Sequence, residues 1–225
     1  MVNRAIGLFG GTFDPIHFGH LRSAIEISEQ LNLDEIRLIP CKIPPHRTSV
    51  VDAENRLTMT RLAVEGTHLI VDDREMYREG PSYTVDTLMS LRSEYPHASL
   101  CMIIGVDAFL GFSTWHQWEK ILELTNIVVM HRPNWKMPTS GVMAEFIKKY
   151  PFSNPEALLN SPAGKITECA ITILDISASH IRNLLQKNRS TQFLLPEKVI
   201  AYIKEHQLYS TKDQIFKSQT EVAHI

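Results

Sequence analysis

The chain has 225 residues, 44% of them hydrophobic, which is enough for a full core, and its 23 basic residues against 25 acidic ones leave a formal charge of −2. That balance excludes a general electrostatic affinity for nucleic acid or acidic membranes, so any cationic chemistry must be local to a site. Cys41, Cys101 and Cys169 are widely spaced and form no CxxC pair, which excludes a disulfide framework and a zinc signature. An apolar run begins at once, at Ala5, and none reaches membrane-spanning length, so a cytoplasmic protein with no nucleic-acid or membrane partner is expected.

Residues 5–9 are apolar on both faces, as a buried parallel strand should be. After residues 10–20, Leu21, Ala24, Ile25, Ser28 and Leu31 recur at helical spacing. The unit therefore reads as strand, glycine turn, helix, with amides at the turn and the helix N-terminus free to bind an anion. Gly10 and Gly11 permit φ values and close approaches that a Cβ would block. Asp14-Pro15 is a turn pair whose carboxylate can take nearby amides. His17 and His20 lie about one helical turn apart and share a face, with Gly19 between them opening the backbone. Two imidazoles at an electropositive helix end can donate to phosphoryl oxygens as charge develops there. A zinc site would need a third ligand, and no nearby residue has the spacing to supply one.

Residues 35–39 read as a second strand, ending at Pro40. Pro44-Pro45 then fixes a loop with His46 and Arg47 at its tip, either ligand donors beyond a strand end or a solvated basic loop. Residues 52–66 form an amphipathic helix with Leu57, Met59, Leu62 and Ala63 inward, and residues 68–71 a third strand. A charged, loop-like stretch over 72–80 precedes Pro81-Ser82-Tyr83-Thr84, which opens a helix reaching about Leu91; Ser82 or Thr84 caps it or meets an anion. Residues 99–104 are an apolar strand ending in Gly105-Val106-Asp107, where Asp107 either accepts from a ribose hydroxyl or caps the next segment. Trp115-His116-Gln117-Trp118 begins a helix to about Leu124, with Trp115 either stacking on a base or packing in the core.

Residues 126–130 form another strand, closed by His131-Arg132-Pro133. The proline-broken stretch 134–165, with a helical piece near 142–149, reads as an irregular insertion over the site. Within it, Lys136-Met137-Pro138-Thr139-Ser140 bears a coincidental likeness to the KMSKS loop of class I synthetases. Residues 170–175 read as the last strand, leading through Ser177 and Ser179, either of which can cap, into a helix with Ile181, Leu184 and Leu185 inward and Arg182 toward the ligand side or solvent. A helix over 196–207 and a loose polar tail over 210–225 complete the chain. Repeated alternation of strand and helix predicts an α/β fold, a doubly wound parallel sheet with helices on both faces, in a single domain over residues 1–209.

Residues 10–20, GGTFDPIHFGH, match the HxGH signature of the nucleotidyltransferases, and residues 176–182, ISASHIR, resemble its distal partner ISxTxIR. With Pro44-Pro45-His46-Arg47, Pro81-Ser82-Tyr83-Thr84, Ile103-Ile104-Gly105-Val106-Asp107 and Arg132-Pro133, the chain resembles the bacterial nicotinate-nucleotide adenylyltransferases over roughly residues 5–209. The resemblance implies a Rossmann-like fold and transfer of adenylyl from ATP to nicotinate mononucleotide, with Mg²⁺ on the ATP phosphates. It also implies roles. His17, His20 and Arg182 would be catalytic. Gly10, Gly11, Thr12, Phe13, Gly105, Asp107, Arg132, Ile176, Ser177 and Ser179 would bind ATP. His46, Arg47, Ser82, Tyr83, Thr84, Trp115 and His116 would bind the mononucleotide, and none of these residues would ligate metal. Two positions depart from the family pattern: Ser179 stands where Thr is usual, keeping the hydroxyl, and His116 where Tyr is frequent. Alternatives are another adenylyltransferase of the superfamily, acting on nicotinamide mononucleotide or phosphopantetheine, and a nucleotide-binding regulator without turnover. A monomer and a homo-oligomer both remain open.

Overall fold

Residues that alternate along the first strand, β1 (Ala5–Gly11), part to opposite faces: Ala5 and Phe9 join one apolar layer, Ile6 and Leu8 the other. A strand apolar on both sides is stable only with both faces covered, which is why helices flank the sheet on each side. The computed structural model describes residues 4–46, 49–132, 135–136, 138–172 and 174–210.

After β1 come α1 (Phe18–Leu31), β2 (Glu35–Pro40), α2 (Ala53–Val64), the short β3 (Ile70–Val71) and a 3₁₀ turn over Arg74–Tyr77. Then follow α3 (Thr84–Glu94), β4 (Ser99–Gly105), α4 (Val106–Leu110), a 3₁₀ turn over Phe112–Thr114, α5 (Trp118–Leu124) and β5 (Asn126–His131). The remainder is α6 (Val142–Lys149), α7 (Pro155–Leu159), β6 (Ile166–Ala170), α8 (Ala178–Gln186) and α9 (Glu197–Glu205). The strands form one six-stranded sheet in the order β3-β2-β1-β4-β5-β6. Every neighbouring pair is parallel. One layer packs α1, α2, α8 and α9 against the sheet, and the other packs α3, α4, α5 and α6. The order reverses between β1 and β4, and the carboxyl ends of those strands are where such sheets open a crevice.

Three expectations are corrected. The strand expected over 170–175 lies earlier: Ile166, Thr167 and Cys169 are buried while Glu168 and Ala170 are exposed, the period-two pattern of an edge strand. The apolar run chosen instead includes Leu174, which is 37% exposed. Among the described residues of 134–165, none lines the crevice. Met143 and Phe146 of α6 pack beside Phe112, and Phe146 meets Trp118 at 5.3 Å. The carbonyl of Leu158, in α7, accepts from Ser99 Oγ and Asn126 Nδ2 (3.0 and 3.2 Å), at the amino ends of β4 and β5 and so at the far end of the sheet. Finally, Ser82 and Thr84 do not cap α3; the N-cap is Tyr83, with no side-chain bond.

The stripe of α2 contains one charged residue among its buried positions, Arg56, at 0% exposure. Its guanidinium donates to four carbonyls: Thr12 at 2.7 Å, Cys41 at 2.5 Å, Lys42 at 2.8 Å and Val51 at 3.1 Å. A burial this deep is tolerable because four of the five N–H donors meet a carbonyl and each nitrogen is bonded at least once. Removing the cation leaves several buried carbonyls without donors, so Arg56→Met should lower stability by about 3–5 kcal/mol in urea unfolding, despite its apolar bulk.

Candidate active site

A cleft of about 540 Å³ opens at the carboxyl ends of β1 and β4. Gly10, Gly11, Thr12 and Phe13 form its floor on the β1 side, and Gly105 and Asp107 line it from the end of β4 and the first turn of α4. The turn differs from expectation. β1 continues through Gly11, and the residue in the left-handed region is Phe13, at φ 48°. The glycines serve close approach instead. A Cβ on Gly11 would lie 2.7 Å from the Phe13 ring, while one on Gly10 would project into empty space at the cleft, where a phosphate could approach.

His17 and His20 are brought together as the sequence implies. Their rings stack with centroids 3.7 Å apart, and the edges of Phe13 (5.1 Å) and Phe9 (6.3 Å) close on His20. Gly19 makes this stack possible, since a Cβ there would sit 2.9 Å from His17 Nδ1. Burial pushes His17 down to about 4 from an ordinary 6.5. His20 is held well below 6.5 by burial first and by the neighbouring His17 second. Both are neutral at pH 7. His20 Nδ1 accepts from the His17 backbone N–H at 3.3 Å, which assigns the His20 proton to Nε2. His20 lines the cleft, so Nε2–H is the donor its ring offers there. His17 is 5% exposed, and its buried Nδ1 has no hydrogen-bond partner. The helix amides are less free than expected: Phe18 N–H donates to Leu194 O and His20 N–H to His17 O.

Arg182, in α8, reaches across from the other side of the sequence, its Nη1 donating to the Asp14 carbonyl at 2.6 Å while the side chain lines the cleft. Asp14 itself is buried; its carboxylate accepts from Val50 N–H and from the Tyr209 hydroxyl, each at 2.7 Å. Ser177 caps α8, accepting from His180 N–H at 3.2 Å, and Ser179 Oγ stands 3.2 Å from Ser177 Oγ. Ser177, Ser179 and Ile176 lie outside the lining, although Ala178 belongs to it. The Ile176 carbonyl would be 3.4 Å from a Cβ on Gly19.

The opposite wall is built from Ser82, Tyr83, Thr84, Trp115, His116 and His46. Trp115 packs edge-on against Phe112 at 5.4 Å, as a partly buried core residue, and also lines the cleft. His116 lies over the Tyr83 ring, centroids 4.2 Å apart. Ser82 Oγ accepts from the amides of Lys42 and Ile43 at 3.1 and 3.3 Å. Arg47 and Pro133 lie outside the described residues. Arg132 is not in the cleft: it is exposed, 3.6 Å from Asp175, and borders a shallow polar depression with Arg22 and Glu26. Sequence reading missed Glu75 and Thr87, both buried in the lining, and the support from Arg56 and Tyr209. A threonine on the buried face of α3 beside Val85, Leu88 and Leu91 was the available signal for Thr87; Glu75 had none.

A parallel sheet with a glycine-floored crevice at its switch point, stacked imidazoles at the start of α1 and an arginine from α8 together describe a nucleotidyltransferase site, and residues 8–184 match the cytidylyltransferase-like family model. A Pseudomonas syringae pv. tomato relative named "Probable nicotinate-nucleotide adenylyltransferase" is 48% identical over 209 residues, covering 92% of this chain and 94% of its own. Relatives of the same name from Pseudomonas aeruginosa PAO1 and Acidithiobacillus ferrooxidans are each 47% identical, covering 92% and 91% of this chain and 98% and 95% of theirs. The chain belongs to the nicotinate-nucleotide adenylyltransferase family. The fold is also that of the Plasmodium falciparum nicotinic acid mononucleotide adenylyltransferase solved with NaAD, at TM-score 0.72 and 21% identity over 92% of this chain and 98% of that one.

The depressed histidines have a stability consequence. Their folded values lie below the unfolded one, so the unfolded chain binds more protons between about pH 6.5 and 4, and stability falls as pH is lowered through that window. The unfolding free energy from urea titrations should therefore decline from pH 6.5 toward pH 5, by about 1–2 kcal/mol for His17 alone. The variant His17→Asn/His20→Asn should show a flatter profile.

Proposed function

We propose that this chain transfers the adenylyl group of ATP to nicotinate mononucleotide, giving deamido-NAD and pyrophosphate. The carrying observation is that one cleft presents Gly10–Thr12, His20, Asp107 and Arg182 on one side and Thr84, Trp115, His116 and His46 on the other. The two halves suit a nucleoside triphosphate and a pyridine mononucleotide held end to end.

In the reaction, a phosphate oxygen of the mononucleotide attacks the α-phosphorus of ATP, and the bond from that phosphorus to the β-bridging oxygen breaks. A phosphate monoester has its second pKa near 6 and is largely dianionic at neutral pH, so no base is required. The depressed pKa values of the buried histidines agree with this, since they make both imidazoles poor proton acceptors, and His20 is the donor. His20 Nε2–H and the Arg182 guanidinium stabilise charge on the phosphoryl oxygens, with His17 fixing the His20 ring through stacking and its backbone N–H. Gly10, Gly11 and Thr12 set the phosphate path, Asp107 holds a ribose hydroxyl, and catalysis rests on alignment and charge. On the other side, Trp115 stacks on the pyridine ring and the Thr84 region meets its carboxylate.

Mg²⁺ supplies charge neutralisation on the triphosphate. Among the described residues no group of three or more His, Cys, Asp or Glu could hold a metal, and Asp14 is occupied by Val50 and Tyr209. In this reading the ion would be bound through the ATP phosphates.

Incubating the protein with ATP and Mg²⁺ plus nicotinate or nicotinamide mononucleotide, and separating products by chromatography, tests the proposal. Deamido-NAD is the expected product, and EDTA should stop its formation. Product from nicotinamide mononucleotide alone would overturn the choice of substrate. His20→Ala and His17→Ala should each lower kcat by about 10²–10³ with the fold retained; near-normal turnover would remove the histidines from the mechanism.

A further inference from the structure

Arg182 is tied to a neutral acceptor that sits beside a stronger one on the same residue. Its Nη1 donates to the main-chain carbonyl of Asp14 at 2.6 Å. The Asp14 carboxylate is engaged elsewhere, Oδ1 accepting from the Tyr209 hydroxyl and Oδ2 from Val50 N–H, each at 2.7 Å. Asp14 and Tyr209 are buried, at 5% and 1% exposure, whereas Arg182 is half-buried and lines the cleft. Backbone strain gathers at both ends of the Tyr209 bond. Phe13, immediately before Asp14, and Tyr209 itself have φ of 48° and 63°, in the left-handed region that bulky residues rarely adopt. Such conformations persist only where the surrounding structure enforces them. Burial, and the Asp14 carboxylate after it, push the Tyr209 phenol up, so this hydroxyl keeps its proton and donates.

We propose that Tyr209 is a positioning residue for Arg182, its hydroxyl occupying the carboxylate oxygen that would otherwise capture the guanidinium. This rests on the function proposed above. With Oδ1 taken, Arg182 stays on the carbonyl and the rest of its fork is left for phosphoryl oxygens in the cleft. Without the hydroxyl, a buried carboxylate oxygen loses a donor, and the guanidinium already on the same residue can replace it by a charge-assisted bond stronger than the one it holds. Arg182 then turns inward, away from the charge that develops in the reaction. The other cation nearby, Arg56, is committed to four carbonyls.

Tyr209→Phe removes the hydroxyl alone. It should lower kcat by about tenfold or more, part of the 10²–10³ that one charge-stabilising donor supplies, while KM for nicotinate mononucleotide stays unchanged. Because the effect runs through Arg182, the same substitution added to Arg182→Ala should change the residual turnover by less than about twofold. Because it needs the carboxylate, Tyr209→Phe added to Asp14→Asn should also cost less than about twofold. Circular dichroism confirms folding. If Tyr209→Phe does not fold alone, it is read on the Asp14→Asn background, where no buried carboxylate is left short of a donor. An unchanged kcat in Tyr209→Phe, or an equal loss in every background as general loosening would produce, overturns the inference. Wild-type protein that forms no dinucleotide defeats the proposed function and the inference with it, whereas normal wild-type turnover beside additive variants defeats the inference alone.

Discussion

Between the carbonyls of Thr12, Cys41 and Lys42 lies a guanidinium that is wholly inside the protein, and beside it the Asp14 carboxylate takes one amide from Val50 and one hydroxyl from Tyr209. Burial lowers the pKa of Arg56, and Asp14 is the foremost group opposing that shift. A charge pair away from water is costly unless its hydrogen bonds are complete, and here they are made almost wholly with backbone. The loops leaving β1 and β2 therefore have defined positions relative to each other. The glycine floor of the cleft, the His17–His20 stack and the Arg182 tether to Asp14 all adjoin the loop leaving β1, so their geometry follows from it.

The same economy governs the charges that face the ligand. Neutral histidines in an aromatic surround cost less to bury than imidazolium ions and still offer a hydrogen-bond donor. Full positive charge comes from the guanidinium of Arg182. A site for two phosphorylated substrates could have gathered many cations, yet the chain is close to electrically neutral. Affinity must then come from directed bonds and from the shape of the crevice more than from field strength.

Much of this was legible in the sequence because its signals were local. Apolar runs marked β1, β4 and β5; an amphipathic stripe marked α2; and the ordered motifs marked the crevice. What escaped was made by contacts far apart in the chain. The bond from Thr87 reaches Glu75, a carboxylate in a segment that reads only as charged loop, and Arg56 looks from its neighbours like an ordinary helical arginine. The placement of α7 at the far end of the sheet depends on Leu158 meeting Ser99 and Asn126, which no periodicity announces. Similarly, β6 was displaced because an edge strand needs one buried face, while the reading favoured a continuous apolar run.

Tyr209 gives its proton to Asp14 across 195 positions of sequence, and it is 1% exposed. A bond of such sequence separation closes late, because the intervening chain must first find its own place. The strand-turn-helix unit at the beginning can form its local shape early. Its aspartate, however, receives its last donor only when α9 and the residues after it dock. The nucleotide crevice is thus a product of the finished chain rather than of its first segment, and a polypeptide still emerging, with α9 not yet made, would carry the HxGH motif without the environment that sets its chemistry.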